Sequence, residues 1–415
     1  MPTKRAWILL ILALILYFLA NQTQVGWIYI ITDGLIGLLL VAAIYSWGML
    51  NSIQATRILR NVSPDPTVPT PEAASTTIAD SETFDLDFTP LAFHEDDPIE
   101  VALQFNHPGL KPALLVSGLE HCPFAPAADQ VQPFFIPGLF KGQAVSLTYQ
   151  TLCDQRGLHR FSPLRLYSKG PFGLFQTRRT LAIPTEILIY PAYHPLKRLR
   201  VFEKKEFAER QALRIGLGSQ VIGTREYRTG DSLRQIHWRS TARTGQLVVK
   251  EFSDDEQQAF SVVLDLQADI SIGRGKFSTF ETAIRLAASL GYYASQHNIP
   301  FRLVGASQKW TPPAMPLSWW AILNYLAKVE NDGREPLAKV LSRLPASTFL
   351  VILISRPHEA IIKALSTLSQ PTRQTLAIFI TLDGALPATA SSLKTAGLEV
   401  KSVSPHNWLD VLTNL

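Results

Sequence analysis

The chain has 415 residues, enough for two or three domains, with 47% hydrophobic and 18% charged residues. Its 39 Lys and Arg exceed 34 Asp and Glu by five, but 13 bases against 5 acids fall between Lys197 and Lys250, so the rest of the chain is slightly acidic. Basicity confined to one segment argues against a chain-wide nucleic-acid footprint, and Cys122 and Cys153, lacking CxxC spacing and companions, argue against a disulfide framework or a zinc site.

Residues 6–20 form an uninterrupted apolar run after Lys4 and Arg5, and a second run covers 25–50. A membrane-spanning helix needs about 20 apolar residues, and no small-residue cleavage site follows Ala20. The two runs therefore predict a retained transmembrane helical hairpin within 1–60. Lys4 and Arg5 precede it, Arg57 and Arg60 follow it, and the connection at 21–24 has no base. The excess of Lys and Arg at both ends predicts that the N-terminus and everything beyond the hairpin are cytoplasmic. Asp33 falls in the second run, and a helix starting near Gly34 would leave it at the interface beside Trp27 and Tyr29.

Residues 61–83, rich in Pro, Thr, Ser and Ala, read as a linker. From 84 to 191 the pattern has period two: Ile99, Val101, Leu103 and Phe105 share one face, and Val145, Leu147 and Tyr149 repeat it. Short alternating strands broken by turn signals predict an antiparallel, β-sandwich-like domain. His94, His107, His121 and His159 stand singly and read as turn or surface residues.

Residues 192–252 form a basic segment read as a bridge between two lobes. Within it, 221–228 predicts a strand, Asp231 an N-cap for a short helix, Arg243-Thr-Gly245 its end, and 247–250 the next strand. Arg225, Arg228, Arg234, Arg239 and Arg243 stand among Glu226, Asp231 and Glu251, the composition of a bidentate ion-pair network. The alternative is an arginine cluster facing an anionic ligand or an acidic partner.

From 253 to 415 apolar strands alternate with helices. Strands are predicted at 260–265, 301–304, 349–354, 376–380 and 398–403. Helices follow Ser278-Thr-Phe-Glu281, a capping box, and lie at 319–329, 361–368, near Ser391 and at the C-terminus. That alternation predicts a doubly wound, mostly parallel sheet covered on both faces. The fold class is thus α/β plus β behind a helical hairpin.

The run Arg225-Glu-Tyr-Arg-x-Gly-Asp231-x-x-Arg-x-Ile-His-Trp238, followed by Ala242-Arg243 and Val249-Lys250-Glu251, resembles the signature of the bacterial family known as domain of unknown function 58. Arg156-Gly157, Pro171-Phe-Gly-Leu-Phe175 and Phe280-Glu-x-Ala-Ile-Arg-Leu-Ala-Ala288 are similar to further landmarks of that family. The chain departs from it at Gln220-Val221, where members commonly carry Glu-Phe, and at Gly170, where they carry Asp. The resemblance extends from about residue 99 to the C-terminus. It implies a membrane-anchored protein with a von Willebrand factor A-like C-terminal domain but no agreed activity, and we read the chain as a non-enzymatic interaction scaffold. The implied partner is a MoxR-type AAA+ ATPase. Arg225, Glu226, Tyr227, Gly230, Asp231, Arg234, His237, Trp238, Arg243 and Glu251 are then the interaction residues.

Open α/β sheets bind ligands beyond the carboxyl ends of their strands, and Asp265 stands at such an end. Von Willebrand A domains carry Asp-x-Ser-x-Ser there and bind a metal. This chain reads Asp265-Leu-Gln267-Ala-Asp269, without the two hydroxyls, so Asp265 and Asp269 are the candidate ligands for a hard cation such as magnesium. No other cofactor is expected. Glu281 is assigned to its capping box. Two other functions compete with the scaffold: a hydrolase using Arg, Glu226 and His237 of the central motif, and binding of anionic lipid or nucleic acid by the basic segment.

Overall fold

The computed structural model describes residues 1–62, 93–170, 172–196, 198–199, 221–226, 237–252, 260–312, 318–344, 349–368, 374–390, 393–394 and 398–413, with 221–226 and 249–252 described by their backbone. The chain divides into two compact units, Met1–Tyr190 and Pro191–Leu415.

The first unit begins with helices α1 (Lys4–Thr23) and α2 (Gly26–Ser46), each long and apolar enough to cross a membrane. Both are apolar all round. Ile8, Leu14, Ile15 and Phe18 of α1 and Ile30, Leu40, Val41 and Ile44 of α2 are exposed, a pattern that suits lipid rather than water. Ala6, Ala13 and Ala20, spaced seven apart, are the buried positions of α1, and small residues let two helix backbones approach. Helix α2 starts at Gly26, not near Gly34. Asp33 is therefore an exposed residue inside the helix rather than a flanking one. The first Val25 peptide already accepts helical hydrogen bonds, with Ile28 N–H donating to Val25 O at 3.1 Å.

Strand β1 (Gln54–Asn61) follows immediately and pairs antiparallel with β3 (Pro98–Asn106), which pairs with β6 (Ala144–Leu152). Assigning 54–60 to the hairpin segment missed this strand because its inward position Arg57 is charged. A second antiparallel sheet has the order β5 (Val131–Leu139), β4 (Ala113–His121), β8 (Leu164–Ser168) and β9 (Thr177–Leu181). A third joins β2 (Phe93–His94), β10 (Glu186–Tyr190) and β7 (Gly157–Arg160). Leu103 and Phe105 of the first sheet share one apolar cluster with Val116, Ile136 and Leu166 of the second. An ion pair is buried between these strands: Arg57 Nε lies 2.7 Å from Glu120 Oε1, both side chains at most 1% exposed. Arg57 also donates to Ile183 O and Thr185 Oγ1 and lies 4.1 Å over the Phe161 ring. His107, expected at the surface, is buried and its Nε2 meets Lys111 O across its turn.

The second unit contains a hairpin of β11 (Val221–Glu226) and β12 (Val248–Phe252) flanking the short helix α3 (Trp238–Thr244). Its main sheet has five strands, all parallel, in the order β14 (Phe301–Val304), β13 (Phe260–Leu264), β15 (Phe349–Ile354), β16 (Gln374–Ile380) and β17 (Glu399–Val403). Helices α4 (Thr279–Gln296), α5 (Trp319–Lys328) and α8 (Trp408–Thr413) cover one face, with Val262, Leu264 and Val351 beneath them. Helices α6 (Leu337–Ser342) and α7 (Glu359–Leu368) cover the other, over Val263, Leu350 and Ile352. Strands buried on both faces show unbroken apolar runs, which is why 349–354 was legible. The expected helix near Ser391 lies partly outside the described residues; a 3-10 turn occupies Ala388–Ala390 before it.

Candidate functional site

The sheet order runs outward in both directions from β13. The chain leaves β13 to form β14 on one side and returns to form β15 on the other, so the switch point lies between β13 and β15. In open α/β sheets ligands bind beyond the carboxyl ends at this point. Asp265 directly follows β13 and Ser355 directly follows β15.

Both side chains are 3% exposed. Asp265 Oδ1 accepts weakly from Gln267 N–H at 3.5 Å, while Asp265 Oδ2 and Ser355 Oγ have no hydrogen-bond partner among the described residues. Burial drives the Asp265 carboxyl up to about 6, against the pull of the Gln267 amide. A buried polar oxygen without a partner is costly, which makes this switch-point carboxylate a candidate binding position.

Loops at the same edge hold this position rigidly. Gly333 N–H donates to Leu266 O at 2.7 Å and Ala268 N–H to Gly333 O at 2.9 Å, a parallel bridge between Gln267 and Gly333. The adjacent Asp332 carboxylate accepts from Ser307 Oγ at 2.7 Å and from the backbone N–H groups of Gln308 and Lys309 at 3.2 Å. The Ser278 hydroxyl accepts from Glu281 N–H at 3.2 Å, and Ser278 opens α4 as the capping box predicts. Arg285, from the third family landmark, is buried and donates to Lys276 O at 3.0 Å, fastening the turn before α4. Asp269 is exposed at φ 63°, apart from the buried carboxylate in environment. Among the described residues no three His, Cys, Asp or Glu side chains cluster as metal ligands. The sequence reading missed Ser355, although a hydroxyl directly after a fully apolar strand was a signal for it.

The central motif lies in the second unit. Arg228, Tyr227, Gly230, Asp231 and Arg234 lie outside the described residues, while Arg225, Glu226 and Glu251 are placed by backbone: Arg225 opposite Val249 and Gly223 opposite Glu251. His237 is the N-cap of the described helix, and the Asp231 cap expected upstream lies outside the described residues. Ser240 N–H donates to His237 Nδ1 at 3.2 Å, and Gly245 ends α3 at φ 71°. Trp238 is 67% exposed and Arg239 and Arg243 face solvent. His237 therefore uses one ring nitrogen in capping, which leaves less of it for proton transfer.

Larger cavities lie elsewhere. One of about 380 Å³ is lined by Glu359, Ile362, Lys363, Ser366, Thr389 and Leu393. Another of about 230 Å³ borders Glu120 and Tyr149 in the first unit. The candidate site is placed instead at the carboxyl ends of β13 and β15, where the buried Asp265 and Ser355 follow their strands.

These features define an α/β domain with a parallel sheet, carried by a chain that also has antiparallel β sheets and two apolar helices. Residues 223–332 match the family described as "Protein of unknown function DUF58". The matched segment takes in the hairpin, Asp265 and Gln267. The chain is also similar to "Uncharacterized protein YeaD" of Bacillus subtilis (strain 168), 21% identical over 151 residues, and spans 36% of that relative's length. Among solved structures, a Northeast Structural Genomics Consortium target shares 11% identity over 33% of this chain and 87% of its own, at TM-score 0.19. A GH20 exo β-N-acetylglucosaminidase from Vibrio harveyi shares 8% over 83% of this chain and 59% of its own, also at 0.19.

Proposed function

We propose that this chain is a membrane-anchored, non-enzymatic interaction protein. In this reading the C-terminal α/β domain is von Willebrand factor A-like and recruits a partner at the cytoplasmic face. The observation that carries it is the fastening of the helix pair to folded β structure. Met1 and Thr3, at the start of α1, bond to Leu174 and Gln176, while Lys111 Nζ donates to Ile44 O in the last turn of α2. Both membrane-proximal ends thus meet the β unit, as an anchor holding its cargo on one side would require. Lys4, Arg5 and Arg60 lie at that end and residues 21–24 carry no base, which supports a cytoplasmic placement. The MoxR-type AAA+ ATPase partner rests on the family resemblance. Affinity capture of the intact detergent-solubilised chain tests it: recovery of such an ATPase is expected, and its repeated absence would retire that partner. Protease accessibility in sealed vesicles tests the orientation, with cleavage expected from the cytoplasmic side.

A second reading is favoured by the partnerless Asp265 oxygen: Asp265, with Asp269 nearby in sequence, takes a divalent cation such as magnesium. Magnesium should raise the melting temperature of the wild-type chain above pH 6 and leave Asp265→Asn unmoved. Equal responses would remove the cation.

A further inference from the structure

Residues 172–175, within the second family landmark, have a local geometry that the flanking glycines explain. Gly170 and Gly173 both adopt left-handed backbone, at φ 63° and 67°, which glycine reaches at no steric cost. A Cβ at Gly170 would also stand 2.9 Å from Ser46 Oγ, at the end of α2. The chain therefore turns tightly and presents Phe172, Leu174 and Phe175 at a narrow tip.

That tip is built into the helix pair. Thr3 N–H donates to Leu174 O at 2.8 Å, Thr3 Oγ1 donates to Gly173 O at 2.8 Å, and Gln176 N–H donates to Met1 O at 2.8 Å. Leu174 is 4% exposed and packs with Ala6 of α1 and Leu39 and Ala42 of α2. Leu39 lies seven residues before the end of α2 at Ser46, or roughly 10 Å along the axis at ~1.5 Å per residue. The loop thus reaches between the helices, about two turns in from the end of α2.

Phe172, two residues from Leu174, is 51% exposed. A second loop is docked to the same end of α2: Tyr45 Oη donates to Pro112 O at 3.0 Å, and Leu110 beside it is 83% exposed. Trp47, which caps α2, is 82% exposed. Lys4, Arg5 and Lys111 are exposed around these three apolar residues. Apolar tips ringed by cations, continuous with two bilayer-length helices, match an anionic lipid surface.

We propose that the loops carrying Leu110 and Phe172 enter the interfacial layer of the bilayer, so that the β unit lies against anionic lipid instead of hanging from a tether. The inference rests on the membrane-anchored reading. Full-length Phe172→Cys, Leu110→Cys and, as a reference in the second unit, Phe277→Cys chains would each be labelled with an environment-sensitive fluorophore. They would then be reconstituted into vesicles of phosphatidylcholine and phosphatidylglycerol. The buried Cys122 and Cys153 leave the added thiol as the labelling site.

In vesicle-floated protein, labels at 172 and 110 should be blue-shifted. They should be quenched by lipids spin-labelled high on the acyl chain and protected from iodide, unlike the label at 277. Iodide quenching at 172 and 110 equal to that at 277, in chains that float, would overturn the inference alone. Chains that fail to float would overturn the anchoring and the inference together. Since both residues are exposed, the substitutions leave the core intact, and an unchanged circular dichroism spectrum checks this. An equal blue shift in vesicles of phosphatidylcholine alone would remove the role of anionic headgroups.

Discussion

Arg57 and Glu120 form the most demanding interaction among the described side chains. Burial pushes the Glu120 carboxyl up while the Arg57 hydrogen bond and charge pull it back, and the net shift is upward. Desolvation thus outweighs the attraction that the pair recovers. Glu120→Ala or Arg57→Ala should cost about 3–5 kcal/mol, because each strands a buried charge, whereas Arg57→Met combined with Glu120→Leu should be close to neutral. Thermal melts of the purified chain decide between these outcomes. Asp265 behaves differently because it has no cation. Its carboxyl is raised from 3.8 to about 6, so the folded state holds the proton more tightly than the unfolded chain. Stability is then fullest below pH 4 and is lost as pH rises through about 6. In chelator, Asp265→Asn should remove that slope and stabilise the protein near pH 8 by about 3 kcal/mol; a steeper slope in the variant would refute the assignment. Burial raises the Cys122 and Cys153 thiols to about 11 and about 12. Iodoacetamide at pH 8 should label neither until denaturant is added.

At the scale of elements, caps and glycines were readable where their chemistry is local. Ser278 opens α4 and Gly245 closes α3 as their residue types dictate. His237, a poor capper by type, supplies Nδ1 to the start of α3, which residue type alone did not announce. Gly333 carries a different constraint. A Cβ there would collide with Ala306 O and Leu266 O, both backbone atoms with little freedom to retreat. Gly333→Ala should lower the melting temperature of the second unit by several degrees and loosen the 265–269 loop, seen as faster amide exchange at Ala268. Gly291 is milder by the same criterion, since its nearest neighbour is the Ile322 side chain at 3.0 Å.

For the whole molecule, the anchored reading stands on the two apolar helices, each long enough to cross a membrane. Alkaline carbonate extraction should leave it in the membrane pellet, and recovery in the supernatant would contradict the anchored reading. The family match at 223–332 lies within the second unit and takes in Asp265.

The length of unbroken apolar runs determined the two N-terminal helices. Apolar periodicity determined the alternating strand at Ile99 to Phe105 and the order of strands and helices after residue 260, each fixed by which face of a short segment must leave water. Tertiary structure alone decided that Arg57 points inward on a strand, that Ser355 shares the switch point with Asp265, and that Leu174 wedges between the helix ends. Those facts depend on contacts between residues far apart in sequence, and side-chain type says nothing about which distant partner will meet it.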